Sequence, residues 1–259
     1  MSNLPNHVAV IPDGNTRWAK ANNLAVFEGY RQGVERGLEI MQRSREVGIN
    51  TLTFWGLSTE NWRNRPEEEL DFLVGLFIEM IDRYLEEAKK HQVRVRHLGN
   101  KDNLPKKLID KIYEVVDLTK DYKEYNLNMA LDYGGQDEII RATKAIIKDV
   151  SSGKISVDDL SKPIDSGGDS PIPQTIYSQY LDSKDQPYPY PDFVIRTSGE
   201  MRTSGFMPWQ SVYSELFFEP AFWPDFTADK FDQALEVYTK RQRRFGGGHE
   251  KEDLNEGAN

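Results

Sequence analysis

The chain of 259 residues contains no cysteine. That absence excludes disulfides, thiolate nucleophiles and cysteine-ligated zinc, and it fits a reducing compartment without requiring one. Histidine is scarce as well: His7, His91, His97 and His249 are dispersed, with no metal-ligand spacing among them. No apolar run approaches the roughly 20 residues that a membrane-spanning helix needs. The opening residues, MSNLPNHVAV, carry no basic leader followed by an apolar core, so no signal peptide is expected and the chain reads as cytoplasmic. Net positive charge is missing too. The formal charge of −9 argues against a nucleic-acid partner, but an anionic small substrate stays open if arginines gather locally. Neither Gly-x-Gly-x-x-Gly after the first strand nor Gly-Lys-Ser/Thr occurs, which counts against nucleotide binding.

What is present alternates between strand and helix patterns. HVAVI, TLTFWGL, VRVRHLG, LNMALDY and FVIRTSG read as strands, with VYSELFF a further segment. Helical periodicity marks EGYRQGVERGLEIMQRSREVG, with Val34, Leu38, Ile40 and Met41 on its inner face, and a helix from Pro66 to about His91. PKKLIDKIYEVVDLT, QDEIIRATKAIIKDV and ADKFDQALEVYTKRQRR follow the same period. The alternation predicts one α/β domain over residues 1–247, a mainly parallel sheet flanked by helices. Residues 151–191, rich in Ser, Asp, Gly and Pro, read as one short helix between long loops, an insertion or lid. The end, 248–259, reads as a mobile tail.

Ligands of open parallel sheets bind beyond the carboxyl ends of the strands, and three such ends here carry polar clusters. In PDGNTRW a helix should begin near Asn15. Its free N–H groups, Gly14 and the planar fork of Arg17 suit a phosphate. Asp13 would repel that phosphate unless a cation such as Mg²⁺ lay between them. The same residues serve equally as a capped strand-to-helix turn. GLSTENWRNRP offers Ser58, Glu60, Asn61, Trp62 and Arg65, and is equally a capped turn before Pro66. In IRTSGEMRTSGF, Arg196 and Arg202 flank a Thr-Ser-Gly turn with Ser204 close by, an oxyanion nest. Glu215, in an apolar segment, needs either an arginine or a metal as partner.

Taken in order, these motifs resemble the cis-prenyltransferase family of the undecaprenyl diphosphate synthase type. HVAVIPDGNTRWAK, LSTENWRNRP, ALDYGG, DFVIRTSGEMRTSGFMPWQSVYSELFFEPAFWPDF and RRFGGG each match a family motif, from His7 to Gly247. The resemblance implies a parallel sheet with an apolar tunnel, a homodimer, and an Mg²⁺-dependent condensation of isopentenyl diphosphate with an allylic diphosphate. It implies the following roles. Asp13 and Glu215 hold Mg²⁺, and Asp13 and Asn61 are catalytic. Gly14, Asn15, Thr16, Arg17, Trp18, Tyr30, Ser58, Thr59, Glu60, Trp62 and Arg65 bind the allylic diphosphate. Arg196, Arg202, Thr203, Ser204 and Arg244 bind isopentenyl diphosphate, Arg244 across the dimer interface. A greasy product implies peripheral membrane contact on release. Val26 and Tyr30 stand where the family has Arg and His, so a weakened or rearranged grip on the allylic diphosphate is expected. Those losses keep open a short-chain or irregular synthase, and a non-catalytic partner subunit. The stripe Leu70, Leu73, Phe77, Met80, Ile81 and Tyr84 is either core or tunnel wall, and Tyr125 is expected near the tunnel's far end.

Overall fold

A near-continuous apolar run lets a strand bury both faces, and the five residues of β1, His7–Ile11, are all buried. Val8 and Val10 face one core, Ala9 and Ile11 the other. The computed structural model describes residues 4–164 and 174–241. β1 lies in a six-stranded sheet with β2 (Thr51–Ser58), β3 (Val93–Leu98), β4 (Tyr125–Tyr133), β7 (Phe193–Arg196) and β8 (Glu215–Phe218). The order is β3-β4-β2-β1-β7-β8 and every pairing is parallel. The chain passes to β2 on one side of β1 and to β7 on the other. Such a reversal opens a crevice at the carboxyl ends of the strands.

Helices α2 (Val26–Glu46), α4 (Glu67–Lys90), α5 (Lys106–Thr119) and α7 (Ala228–Thr239) contribute to the larger core. On α2, Ile40 and Met41 are buried, while Val34 and Leu38 pack at the margin of the core. Three glutamates open α4 behind Pro66, where the helix dipole favours acids. The smaller core sets Phe206 and Met207 against Ala9, Ile11 and Leu98. α6 (Gly135–Ser151) follows β4.

Residues 151–191 depart from the sequence expectation. Their described part has no short α-helix of its own. It makes 3-10 turns at Val157–Asp159 and Ile176–Tyr180, and two-residue strands β5 (Pro163–Ile164) and β6 (Gln174–Thr175) that pair antiparallel. Prolines at 163, 187, 189 and 191 deny a helix its donors. The segment packs through Tyr180 on Asp149 and Gln186 on Asn128. The expected mobile tail, 248–259, lies outside the described residues.

Two glycines on α2 admit α1 (Asn15–Ala21), the helix that follows the tip of β1. A Cβ on Gly29 would lie 2.2 Å from the Asn15 carbonyl oxygen, and one on Gly33 would lie 2.5 Å from Asn15 Oδ1. Gly29→Ala should therefore cost about 1–3 kcal/mol through overpacking, seen as a lower midpoint in urea unfolding. Two histidines bear on pH. His7 and His97 are buried, which lowers each from 6.5 to about 4. Between those values the unfolded chain binds protons that the folded chain refuses, so stability falls on acidification, by up to about 3 kcal/mol per histidine. Urea midpoints should drop from pH 7 to pH 5, and His97→Gln should flatten roughly half of the histidine contribution.

Candidate active site

The tip of β1 is pinned before any side chain acts. The Asp13 N–H donates to Thr197 Oγ1 at 2.9 Å, and that hydroxyl donates to the Asp13 carbonyl at 2.7 Å. The Trp223 N–H also donates to this carbonyl, at 3.0 Å. Gly14 then takes φ of 107°, a left-handed conformation, and a Cβ there would meet Phe222 Cδ1 at 2.8 Å. α1 begins at Asn15, where the sequence places it.

This fixed loop aims Asp13 between two guanidinium groups. Arg17 Nη2 donates to Oδ1 at 3.0 Å, and Arg196 Nη2 donates to Oδ2 at 2.8 Å. Burial pushes the Asp13 carboxyl up, but the hydrogen bond from Arg196 and the charge of Arg17 outweigh it, and the group is held below the usual carboxylate range. Arg196 is buried and donates Nη1 to Ser204 Oγ at 2.8 Å and to the Arg202 carbonyl at 2.6 Å. Arg17 also donates to Ser198 Oγ at 2.6 Å and to Glu200 Oε1 at 3.0 Å, and stands over the Phe222 ring. Glu200 in turn pairs with Arg202.

A second cluster faces the first. β2 ends in Ser58, whose Oγ accepts the Asn61 N–H at 3.0 Å and caps α3 (Thr59–Asn64). The capped-turn reading is thus realised, and the cap delivers Asn61 and Arg65 to the crevice. Arg65 Nη1 donates to the Tyr30 hydroxyl at 2.7 Å and to Glu69 Oε1 at 2.6 Å, while Tyr30 donates to the same Oε1 at 2.5 Å. Burial and the Glu69 carboxylate push the Tyr30 phenol up, so it stays a neutral donor. Of the two candidate arginines Arg65 lines the cavity, and Arg63 is exposed.

Between the clusters lies a cavity of about 550 Å³. Asp13, Gly14, Asn15, Thr16, Tyr30, Ser58, Glu60, Asn61, Arg65, Arg196 and Ser204 form its polar mouth, and Leu73, Leu76, Phe77, Met80 and Met129 its apolar wall. The α4 stripe therefore divides: Leu73, Phe77 and Met80 line the cavity, while Leu70, Ile81 and Tyr84 pack in the core. Tyr125 packs at the core's margin and is not part of the lining.

Several expected site residues are not brought to the cavity. Trp18 turns to Asp225, with Nε1 to Oδ1 at 2.8 Å. Thr59 is buried in the first turn of α3, and Trp62 packs against the core. Arg202 and Thr203 lie on the loop after β7 and do not line the cavity; Arg202 is exposed. Arg244 lies outside the described residues. Within one chain Glu215 lies at the opposite end of the strands from Asp13. It pairs across the sheet with Phe193, whereas Arg196, at the Asp13 end, pairs with Phe218. Three residues of strand are about 10 Å. Its partner is Arg241, at 2.9 Å, the arginine alternative. Among the described residues no group of three or more acids and histidines forms a metal cage.

Glu200 escaped the sequence reading, and Thr197 and Ser198, read as part of the Thr-Ser-Gly turn, were given no contact with Asp13 or Arg17. For Glu200 the signal was available, since it sits between Arg196 and Arg202 and an acid so placed will pair. The hydroxyl contacts depend on β7 lying beside β1, which no local pattern announces.

The family described as "Putative undecaprenyl diphosphate synthase" matches residues 11–246. The chain is 46% identical over 244 residues to "Isoprenyl transferase" of Thermotoga maritima, covering 94% of this chain and 97% of that one. It is 37% identical over 249 residues to "Ditrans,polycis-undecaprenyl-diphosphate synthase ((2E,6E)-farnesyl-diphosphate specific)" of Pasteurella multocida, covering 96% and 98%. Among solved structures, lavandulyl diphosphate synthase from Lavandula x intermedia in complex with dimethylallyl diphosphate superposes with a TM-score of 0.85 at 34% identity, covering 94% and 98%.

The Tyr30 hydroxyl bridges Arg65 and Glu69, and its loss should release both. Tyr30→Phe is expected to lower stability by about 1–3 kcal/mol, the worth of hydrogen bonds to charged groups, measured by urea unfolding at pH 7.

Proposed function

Because this chain belongs to the undecaprenyl diphosphate synthase family of prenyltransferases, we propose that it condenses isopentenyl diphosphate with an allylic diphosphate to a Z-polyprenyl diphosphate. The observation that carries this is a cavity with an apolar wall and arginines on both sides of its mouth. Arg17 and Arg196 stand at Asp13, and Arg65 stands with Tyr30. Two diphosphates and one hydrocarbon tail need that layout.

In the reaction the allylic carbon–oxygen bond breaks and diphosphate departs with the bonding electrons. The terminal alkene carbon of isopentenyl diphosphate bonds to the allylic carbon, and a proton leaves the adjacent methylene. Negative charge grows on the departing diphosphate, and fixed guanidinium groups and N–H donors stabilise it more in the transition state than before. Gly14, Asn15 and Arg17 are assigned to the allylic diphosphate, with Arg65 and Tyr30 across the mouth. Arg196 and Ser204 are assigned to isopentenyl diphosphate. Asn61 orients the reacting carbons. As a neutral amide it is a poor base, so the proton goes to the departing diphosphate.

Mg²⁺ fits at Asp13. This ion takes one or two carboxylates together with substrate phosphate oxygens and water, and Asp13 is a half-exposed carboxylate, ionised at neutral pH, beside phosphate-binding arginines. When bound, Mg²⁺ neutralises charge on the leaving group. Both Asp13 oxygens hold arginines in the ligand-free protein. A bound diphosphate would accept from those arginines, and the Asp13 carboxylate would hold the ion. Glu215 is left out of this set.

β8 is an edge strand whose neighbourhood exposes Val212 and Leu216, which supports a homodimer joined at that edge. Among the described residues no helix is long and apolar enough to cross a membrane; release of a long product calls for peripheral contact.

A shorter or irregular product is the second reading, favoured by the likeness to lavandulyl diphosphate synthase. Labelled isopentenyl diphosphate offered with dimethylallyl and with farnesyl diphosphate, in Mg²⁺, separates the readings by product size. Extension from farnesyl diphosphate by several units supports the first. No incorporation with any starter overturns both and leaves a non-catalytic partner subunit. Asp13→Ala should lower turnover by about 100-fold or more with the circular dichroism spectrum retained; wild-type turnover would remove Asp13 from the chemistry.

A further inference from the structure

The sheet has a second polar region, at the opposite end from the catalytic mouth. On the face of β3 and β4 opposite Val93, Val95 and Leu127, the first alternating positions are Arg94 and Arg96, Asn126 and Asn128. Cross-strand register sets Arg94 beside Asn126 and Arg96 beside Asn128. A cavity of about 500 Å³ opens there, lined by Arg94, Lys123, Asn126, Gln174, Asp185 and Gln186, among others. That volume is in the range of small-molecule sites. It shares no lining residue with the cavity at Asp13.

The hydrogen-bonding ledger of this region does not close. Gln174 and Gln186 are buried, with 3% and 4% of their surface exposed, and each leaves its side-chain N–H₂ without a partner. Arg96 Nε is also buried and unpartnered, although the guanidinium donates to the Asp185 carbonyl. Among the described residues Arg94 and Lys123 make no ion pair or side-chain hydrogen bond. Against these donors stands one buried unpartnered acceptor, Asn128 Oδ1, while the exposed Asp185 carboxylate lines the cavity and acts on Arg96. Buried donors without acceptors are costly and rare. Two arginines two residues apart on one strand face also repel. Burial and the charge of Arg94 together lower the Arg96 guanidinium to about 10.

We propose that this cavity is a binding site for a small anion with several acceptor oxygens, of the phosphate or carboxylate class, held by Arg94, Lys123 and the side-chain amides of Gln174 and Gln186. A planar guanidinium fork with two amide donors matches such oxygens, and the surplus of donors rejects a cation. The site lies apart from the mouth that would hold the diphosphates, so its occupant would bind without competing directly for substrate.

Inorganic phosphate and citrate are the probes, titrated separately by calorimetry at ionic strength matched with sodium chloride. The wild type, the Arg94→Gln/Lys123→Gln double variant and Arg17→Ala are compared, with circular dichroism confirming each fold. The expected result is that the wild type shows, for at least one anion, a binding event that persists in Arg17→Ala and is weakened at least tenfold in the double variant, separate from any phosphate binding at the mouth that Arg17→Ala removes. Which anion binds assigns the class. The proposal is overturned if neither anion binds the wild type, which would make the cavity a water pocket. It is also overturned if all binding follows Arg17, or if neither set of substitutions alters it.

Discussion

The Asp13 carboxylate joins parts of the chain that are otherwise far apart. Its two oxygens accept from Arg17 on the helix that follows it and from Arg196, 183 residues later. β1 and β7 lie side by side in register, Ile11 against Arg196, so the two arginines converge on one acid. A buried guanidinium such as Arg196 requires an anion nearby, because an uncompensated buried charge costs several kcal/mol. Asp13 meets that requirement, and the Thr197 hydroxyl fixes where Asp13 stands. The rest of the mouth is built outward from this point: Gly14 bends, α1 starts, and Gly29 and Gly33 leave room for α1 against α2.

The same pairing explains how a protein of net charge −9 can present cations to diphosphates. In the described site each arginine is held by an acid: Arg17 by Asp13 and Glu200, Arg196 by Asp13, Arg202 by Glu200, Arg65 by Glu69. These acids orient the guanidinium groups in advance, so little side-chain entropy is lost when phosphate oxygens replace carboxylate oxygens. Near Asp13 three arginines face two acids, so the cluster keeps one net positive charge. A cation held by Asp13 would leave the arginine donors of this network to phosphate oxygens.

Much of the fold was legible because it rests on local signals. The period-2 runs became parallel strands, the period-3.6 runs became helices, and Pro66 with its glutamates marked the start of α4. Asp13, Asn15, Asn61, Arg65 and Arg196, singled out at the ends of apolar strands, all line the cavity, and the capped-turn reading holds beside that placement. What escaped depended on register. For Glu215 the sequence leaves an arginine or a metal as partner and the resemblance implies the metal, and only the pairing of β7 with β8 shows it at the far end of the strand beside Arg241. Trp18 follows Arg17 directly, yet a helix turns neighbours about 100° apart, and its indole meets Asp225. The 151–191 segment resisted reading because prolines and loops have no period to follow.

Tyr30 shows what a lost charge means at such a site. The family resemblance led to an expected histidine there, and a phenol looked like a loss. In the structure the phenol donates to Glu69 and accepts from Arg65, which a protonated imidazole could not do, since both its nitrogens are donors. A cationic ring would repel Arg65, whereas the neutral hydroxyl lets Arg65 approach to 2.7 Å with its ring beneath the guanidinium. Val26, at the place of the expected arginine, packs against the core instead. Of the two replacements Tyr30 is the one that meets the site: its hydroxyl and ring hold Arg65 where that guanidinium lines the cavity.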